Sequence, residues 1–149
     1  MKKIIFILIA GTILGICQRV SAKRVQVPKM YIFGMAASFN DTIVHFTNVQ
    51  EIDSAWIDSK SKFLQDREIY SLQLKNFLTN NKQMPYRTCL VVANKSRKKL
   101  EKKYKKFQKL YTQSKDKKQH YDIRYLDNSE FQFYTVKVDN VDGDANGAE

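Results

Sequence analysis

The chain has 149 residues, 28% of them charged, with 26 Lys and Arg against 15 Asp and Glu and a net charge of +11. That length supports one domain with its own apolar core. The two cysteines are Cys17, inside an N-terminal apolar run, and Cys89, so losing the leader excludes an intramolecular disulfide; the two histidines, His45 and His120, have no Cys/His spacing around them and exclude a zinc finger or ribbon.

The N-terminus comes first in the chain and is the most readable part of it. Lys2 and Lys3 precede an apolar run from Ile4 to Cys17, and Val20-Ser21-Ala22 supplies small residues at the spacing a leader peptidase reads. The run is shorter than the roughly 20 residues a helix needs to cross a bilayer. Residues 1–22 therefore read as a secretory signal peptide cleaved between Ala22 and Lys23. A lipobox reading of Leu14-Gly15-Ile16-Cys17 is disfavoured because Ile16 stands where a small residue is required. An exported protein, periplasmic or extracellular, is expected, with one domain over 23–138 and a disordered acidic tail over 139–149.

Within the domain, "YIFGMAASF" and "TIVHFT" flank Asn40-Asp41 and predict a β-hairpin. A two-residue loop would set Met35 opposite Phe46 and Ala37 opposite Val44. Tyr31, Phe33, Met35, Val44 and Phe46 then share one face, and Ile32, Gly34, Ala36, Ser38, Ile43 and His45 the other. "NVQEIDSAWIDSKSK" is too wet to read as an element. In "FLQDREIYSLQLKNFLTNN" the residues Phe63, Tyr70, Leu74, Phe77 and Leu78 fall on one helical face, and Asn80, Asn81 and Pro85 stop the helix. "YRTCLVVAN" reads as a buried strand, which makes Cys89 a small core side chain rather than a nucleophile. A second helix follows, then "YDIRYL" and "FQFYTVKV" as two strands around "DNSE". The order ββαβαββ predicts an α+β two-layer sandwich: a mixed sheet of about five strands with two amphipathic helices. Helices on opposite faces satisfy the same pattern, and the strands on either side of the second helix are expected to run parallel through a crossover.

Candidate chemistry is sparse. Asp142, Asp144, Asn146 and Gly147 match the start of a calcium loop, but without helical flanks to preorganise it the segment reads as a solubilising tail. Asp53, Asp58, Asp66 and Glu68 sit in polar stretches that solvation or capping explains. The hairpin sets Ser38 and His45 on one face as diagonal neighbours with Asp41 at the turn, the parts of a small hydrolase if their geometry converges. No metal and no cofactor are implied.

The strongest signal is charge. Residues 95–118 hold 11 Lys and one Arg against Glu101 and Asp116, a local charge of +10. Removing Lys2, Lys3 and Arg19 with the leader lowers the net charge from +11 to +8, so everything else in the mature chain sums to −2. On a helical wheel Leu100, Tyr104, Phe107 and Tyr111 form a core stripe, and Lys98, Lys99, Lys102, Lys105, Lys106 and Lys109 fall opposite. Such a face is either a solvated surface or a site for an anionic polymer or envelope component. Sequence-specific nucleic-acid reading is disfavoured: base edges are read by planar bidentate arginine, and the interleaved tyrosines point to the core. A binding or interaction module is the expected function, with a hydrolase or a subunit of an envelope assembly as alternatives.

"YIFGMAASFNDTIVHFT", "IDSAWIDSKSKFL" and "MPYRTCLVV" resemble an uncharacterised family of small exported proteins of gut Bacteroidetes. The resemblance spans about Tyr31 to Val138. It implies a Gram-negative envelope or secreted location and transfers no catalytic or binding residue.

N-terminal sequencing of the protein recovered after export is expected to begin at Lys23. A mature terminus at lipidated Cys17 would refute the cleavage site.

Overall fold

The computed structural model describes residues 23–113 and 120–136. Residues 1–22, expected to be a signal peptide, the lysines at 115, 117 and 118, and the acidic tail with its calcium-like run lie outside the described residues. The chain forms a mixed five-stranded sheet and two helices in an α+β sandwich. The elements are β1 (Arg24–Ala37), β2 (Ile43–Thr47), β3 (Gln50–Asp58), α1 (Arg67–Lys82), β4 (Thr88–Asn94), α2 (Arg97–Thr112) and β5 (Asp122–Leu126).

β1 is the spine. Its first half pairs antiparallel with β3 and its second half with β2, while β4 runs antiparallel along its opposite side. Met35 faces Phe46 as the hairpin pattern predicts, but Ile32 faces Gln50, so three steps along β1 match four along its partner. That extra residue is a bulge at Asn48 and Val49. Gly34 donates its N–H to the Thr47 hydroxyl at 2.9 Å beside the bulge, a side chain standing in for a strand carbonyl. A second irregularity lies further out, where donor-less Pro28 meets Ser54 with φ of 54° between the pairs Val27–Ala55 and Lys29–Asp53. Val27 and Met30 are both buried in one cluster although three apart, so this kink turns the hairpin's outer end over the core.

β3 is the strand the polar stretch concealed. The reading that began the first strand at Tyr31 missed its partner, whose buried residues Ile52, Ala55 and Ile57 are spaced irregularly because of the Ser54 kink.

The two helices take opposite faces of the sheet. α1 lays Tyr70, Leu74 and Leu78 against Ile32, Ala36 and Val91, and α2 lays Tyr104, Phe107 and Tyr111 against Met35, Val44 and Phe46. The face assignment of the hairpin therefore holds: Phe33 and Phe46 meet Tyr104 edge-on with centroids 5.0 and 5.8 Å apart. Gly34 is required on the α1 side, since a Cβ there would lie 2.8 Å from Leu74 Cδ2 and 2.9 Å from Phe133 Cζ. Phe63, expected on the helix stripe, precedes α1 and is exposed, with the Arg67 guanidinium 5.6 Å from its ring.

Two expectations need correction. β4 and β5 point the same way but are not neighbours: β5 pairs parallel with β2, leaving β1 and β2 between them. Burial favours this, because β1 and β2 carry apolar residues on both faces and belong in the middle. Residues 131–136 form no strand. Phe131 and Phe133 alternate inward as a strand would, but their backbone bonds to glutamine amides. Gln50 Nε2 donates to the Phe131 carbonyl at 2.8 Å and Gln50 Oε1 accepts from Phe133 N–H at 2.8 Å. Gln73 repeats the device on Tyr134 at 3.0 and 3.1 Å.

Replacing Gln50 by Leu keeps the volume but leaves two buried backbone groups unpaired, which costs about 1–3 kcal/mol for each. Denaturant unfolding of Gln50→Leu is expected to show a loss of about 3 kcal/mol, against almost none for Gln132→Ala on the exposed side. Equal stability of Gln50→Leu and the parent would show that the amide does not hold this segment.

Candidate functional site

The lysine face is built by α2. Ser96 caps the helix, its hydroxyl accepting from Lys99 N–H at 3.4 Å, and Asn94 Oδ1 in turn accepts from Ser96 N–H at 2.8 Å. Leu100 is fully buried, and Tyr104, Phe107 and Tyr111 pack on the sheet. Burial pushes the Tyr104 phenol up to about 12 and raises that of Tyr111 as well, so neither ionises near neutrality. The stripe thus faces inward, and Lys98, Lys99, Lys102, Lys105, Lys106 and Lys109 are all exposed, with Lys103 beside them. None of these lysines makes an ion pair among the described residues; the pair on this helix is Arg97 with Glu101, at 2.9 Å.

Ser38 and His45 are not brought together. β1 ends at Ala37 and β2 starts at Ile43, so the loop is longer than two residues and Ser38 has left the sheet. Its hydroxyl accepts from Asn40 N–H at 3.1 Å. Asp41 is spoken for too: Oδ1 accepts from Ile43 N–H at 2.9 Å, and the carboxylate takes a bidentate grip from Arg87 at 2.8 and 2.6 Å. Burial alone would raise the Asp41 carboxyl, but the Ile43 N–H and the Arg87 guanidinium outweigh it and hold it below its ordinary value. Asp41 orients Arg87, not His45. Arg87 also donates to the Ile43 carbonyl at 2.7 Å, so this nearly buried guanidinium clamps the loop to the start of β4.

His45 lies elsewhere, at the floor of a hollow of about 270 Å³ with Lys82, Met84, Arg124 and Glu130 around it. Only 3% of it is exposed, and its Nδ1 has no hydrogen-bond partner. Burial, reinforced by the charges of Arg87, Arg124 and Lys82, pushes the imidazole down to about 4. It is neutral at pH 7. Around it stand Lys82 at the end of α1, bonded to Glu130 at 2.6 Å, and Arg124 of β5, bonded to Asp122 at 2.8 Å. Among the described residues, no serine, threonine or cysteine lines this hollow.

The remaining candidates are structural. Cys89 is half-buried and its thiol is pushed up to about 11, chiefly by burial, leaving it unreactive near neutrality. Asp58 Oδ1 collects Lys60 N–H, Ser61 N–H and Ser61 Oγ–H at 2.6 to 3.0 Å and forms a turn. Asp66 precedes α1 without capping it through its side chain and lies 3.7 Å from Arg24. Among the described residues no group of His, Cys, Asp and Glu could hold a metal ion, and no described helix is long and apolar enough to cross a membrane. Sequence reasoning missed the Arg87–Asp41 clamp and the buried cationic setting of His45, which depend on contacts across the sheet.

Comparison with known proteins finds no family model, no curated protein and no solved structure that matches this chain.

The imidazole makes stability depend on pH. Its folded value near 4 lies below the ordinary 6.5, so the unfolded chain binds the extra proton; the contribution is complete above about pH 6.5 and is lost as pH falls towards 4. The carboxylates Asp41, Asp58 and Asp127 are held below 3.8, and their losses come at lower pH. Unfolding curves between pH 6.5 and 4 are expected to show the parent losing about 2 kcal/mol while His45→Gln stays nearly flat. Parallel curves for the two would remove His45 as the cause.

Proposed function

We propose that this protein is an exported binding module that engages an anionic polymer or anionic envelope surface through the outer face of α2. The observation that carries this reading is the segregation of charge: six lysines on one exposed helix face, with no ion pair to any of them among the described residues, while the mature chain outside residues 95–118 sums to −2. Solvation alone does not call for such segregation. Like charges at i,i+4 are unfavourable by a few tenths of a kcal/mol per pair. Lys98 and Lys99 also stand in the first turn, where the helix dipole disfavours cations. A bound polyanion relieves both penalties. Lysine is a compact point charge on a flexible stem, so the face suits phosphate, sulfate or carboxylate groups spaced along a chain rather than one planar ligand. The leader-like N-terminus and the resemblance to exported proteins of gut Bacteroidetes support a partner outside the cytoplasm.

Binding is expected to be driven by counterion release. For a duplex-like anion, four engaged lysines imply a log–log salt slope of about −3.6. Reversing Lys98, Lys102, Lys105 and Lys109 to Glu should abolish retention on a heparin column at salt concentrations where the parent still binds. Circular dichroism should be unchanged, because the apolar stripe of α2 points the other way. Elution of parent and variant at the same low salt would show the face to be a solvated surface only.

A further inference from the structure

The sheet shows four stretches of strand edge, and they are treated differently. The outer half of β1, Arg24–Met30, is unpaired among the described residues on the side away from β3 and carries Arg24, Pro28 and Lys29. β3 is closed over: Leu64 bridges Ile57, Gln65 N–H donates to the Trp56 carbonyl at 2.8 Å, and the Thr135 hydroxyl donates to the Asp53 carbonyl at 2.7 Å. β5 is short and carries the charged pair Asp122 and Arg124. β4 has neither protection. Its seven residues, Thr88–Asn94, include no charge and no proline, and among the described residues β4 pairs with β1 alone. Sheets that stay single blunt such an edge with lysine, proline, a bulge or a cover. An unblunted edge is a surface for pairing.

A groove of about 530 Å³ runs beside this edge between α1 and β4, with Glu68, Leu72 and Lys75 on one wall and Cys89 and Val91 on the other. Leu72 is 50% exposed there. Neither Glu68 nor Lys75 makes an ion pair among the described residues.

We propose that the edge of β4 pairs antiparallel with β4 of a second copy about a two-fold axis at Val91, giving a dimer with one continuous sheet. The charge pattern of α1 selects this occupant. α1 and β4 run in opposite directions through the short 83–87 connection, and Lys75 and Cys89 line the same groove from its two walls. Two strand residues from Cys89 to Val91 advance about 6.6 Å, and about four helical residues, from Lys75 back to Ser71, cover the same length. The axis through Val91 therefore passes α1 at Ser71 and Leu72. Glu68 and Lys75 are nearly equidistant from that point. In an isologous pair each contact occurs twice, so Leu72 meets its own symmetry copy and Glu68 faces Lys75 of the other copy on both sides. A parallel pairing would turn one copy over and put the two copies of α1 on opposite faces of the sheet, leaving Glu68 and Lys75 without counterparts. On the opposite sheet face the same axis places two copies of α2 side by side, so two lysine faces point in one direction.

The test is the self-association of the mature chain, measured by sedimentation across micromolar to submillimolar concentration. Parent protein is expected to show a monomer–dimer equilibrium. Glu68→Lys and Lys75→Glu, each at an exposed position, are expected to weaken the dimer about tenfold, since two attractive contacts become repulsive, a change of about 1.4 kcal/mol. The double variant E68K/K75E should recover the parent affinity to within about threefold, which loss of folding in either single variant could not produce. A parent that stays monomeric across the range, a double variant no better than the singles, or dimerisation indifferent to all three changes would each overturn the proposal. So would a monomer that binds an unrelated extended peptide at β4.

Discussion

From Ile32 to Ala36 every residue of β1 is buried, and burial on both faces of one strand is the constraint from which the architecture follows. A strand apolar on both sides needs a cover on each face, and each helix of this chain has a single apolar stripe to give. One helix per face is the arrangement that leaves neither side of β1 wet. The close approach this demands is met by Gly34, where α1 and Phe133 reach the sheet with no room for a Cβ. The same constraint puts β2 in the middle, since Val44 and Phe46 face α2 while His45 and Thr47 are buried towards α1.

Placing α2 alone on its face has an electrostatic result. With three aromatic rings and Leu100 turned inward, every lysine of the helix is pushed outward together, and none of them has an ion-pair partner among the described residues. The helix is held by tertiary burial rather than by favourable local charge. Fully burying a large apolar side chain is worth about 1.5–3 kcal/mol, enough to outweigh the repulsion among exposed lysines. Packing thus sustains a charge arrangement that the helix would not hold in isolation. Around the buried imidazole on the other side of the sheet the arrangement is the opposite: Arg87, Lys82 and Arg124 are each bonded to a carboxylate. Cations near the buried imidazole are paired, and cations on the helix face are left open.

How far the sequence could be read depended on whether an element's neighbours were implied by its own pattern. The Met35–Phe46 register was legible because alternation on both sides of Asn40-Asp41 admits one pairing that buries both aromatic sets. The stripe of α2 was legible because lysine and aromatic residues segregate fully. β3 was hidden because the kink at Pro28 and Ser54 breaks its alternation and because Gln50, a polar residue, is buried for a contact 81 residues away. The segment at Phe131 and Phe133 misled in the converse way: alternation reports which side chains turn inward, but not whether the backbone bonds to a strand or to glutamine amides. For the candidate site the lysine positions were legible from the wheel. The separation of Ser38 from His45 was not, because it turns on a loop three residues longer than the turn residues required.

The edges of the sheet tie these observations together. The 63–65 backbone and the Thr135 hydroxyl close β3, charge guards β5, and β4 carries no charge and, among the described residues, no cover. The concentration of lysine on α2, which follows β4 directly, is the departure from composition. An uncharged edge favours strand pairing, and a lysine-rich face disfavours close approach of another such face. Both can coexist because they belong to different surfaces: pairing acts in the plane of the sheet, whereas the lysines of α2 project above it. Across a Debye length of about 8 Å at physiological ionic strength, repulsion between two such faces is largely screened, while the in-plane strand bonds are not. The chain therefore separates the geometry that brings copies together from the charge that each copy presents.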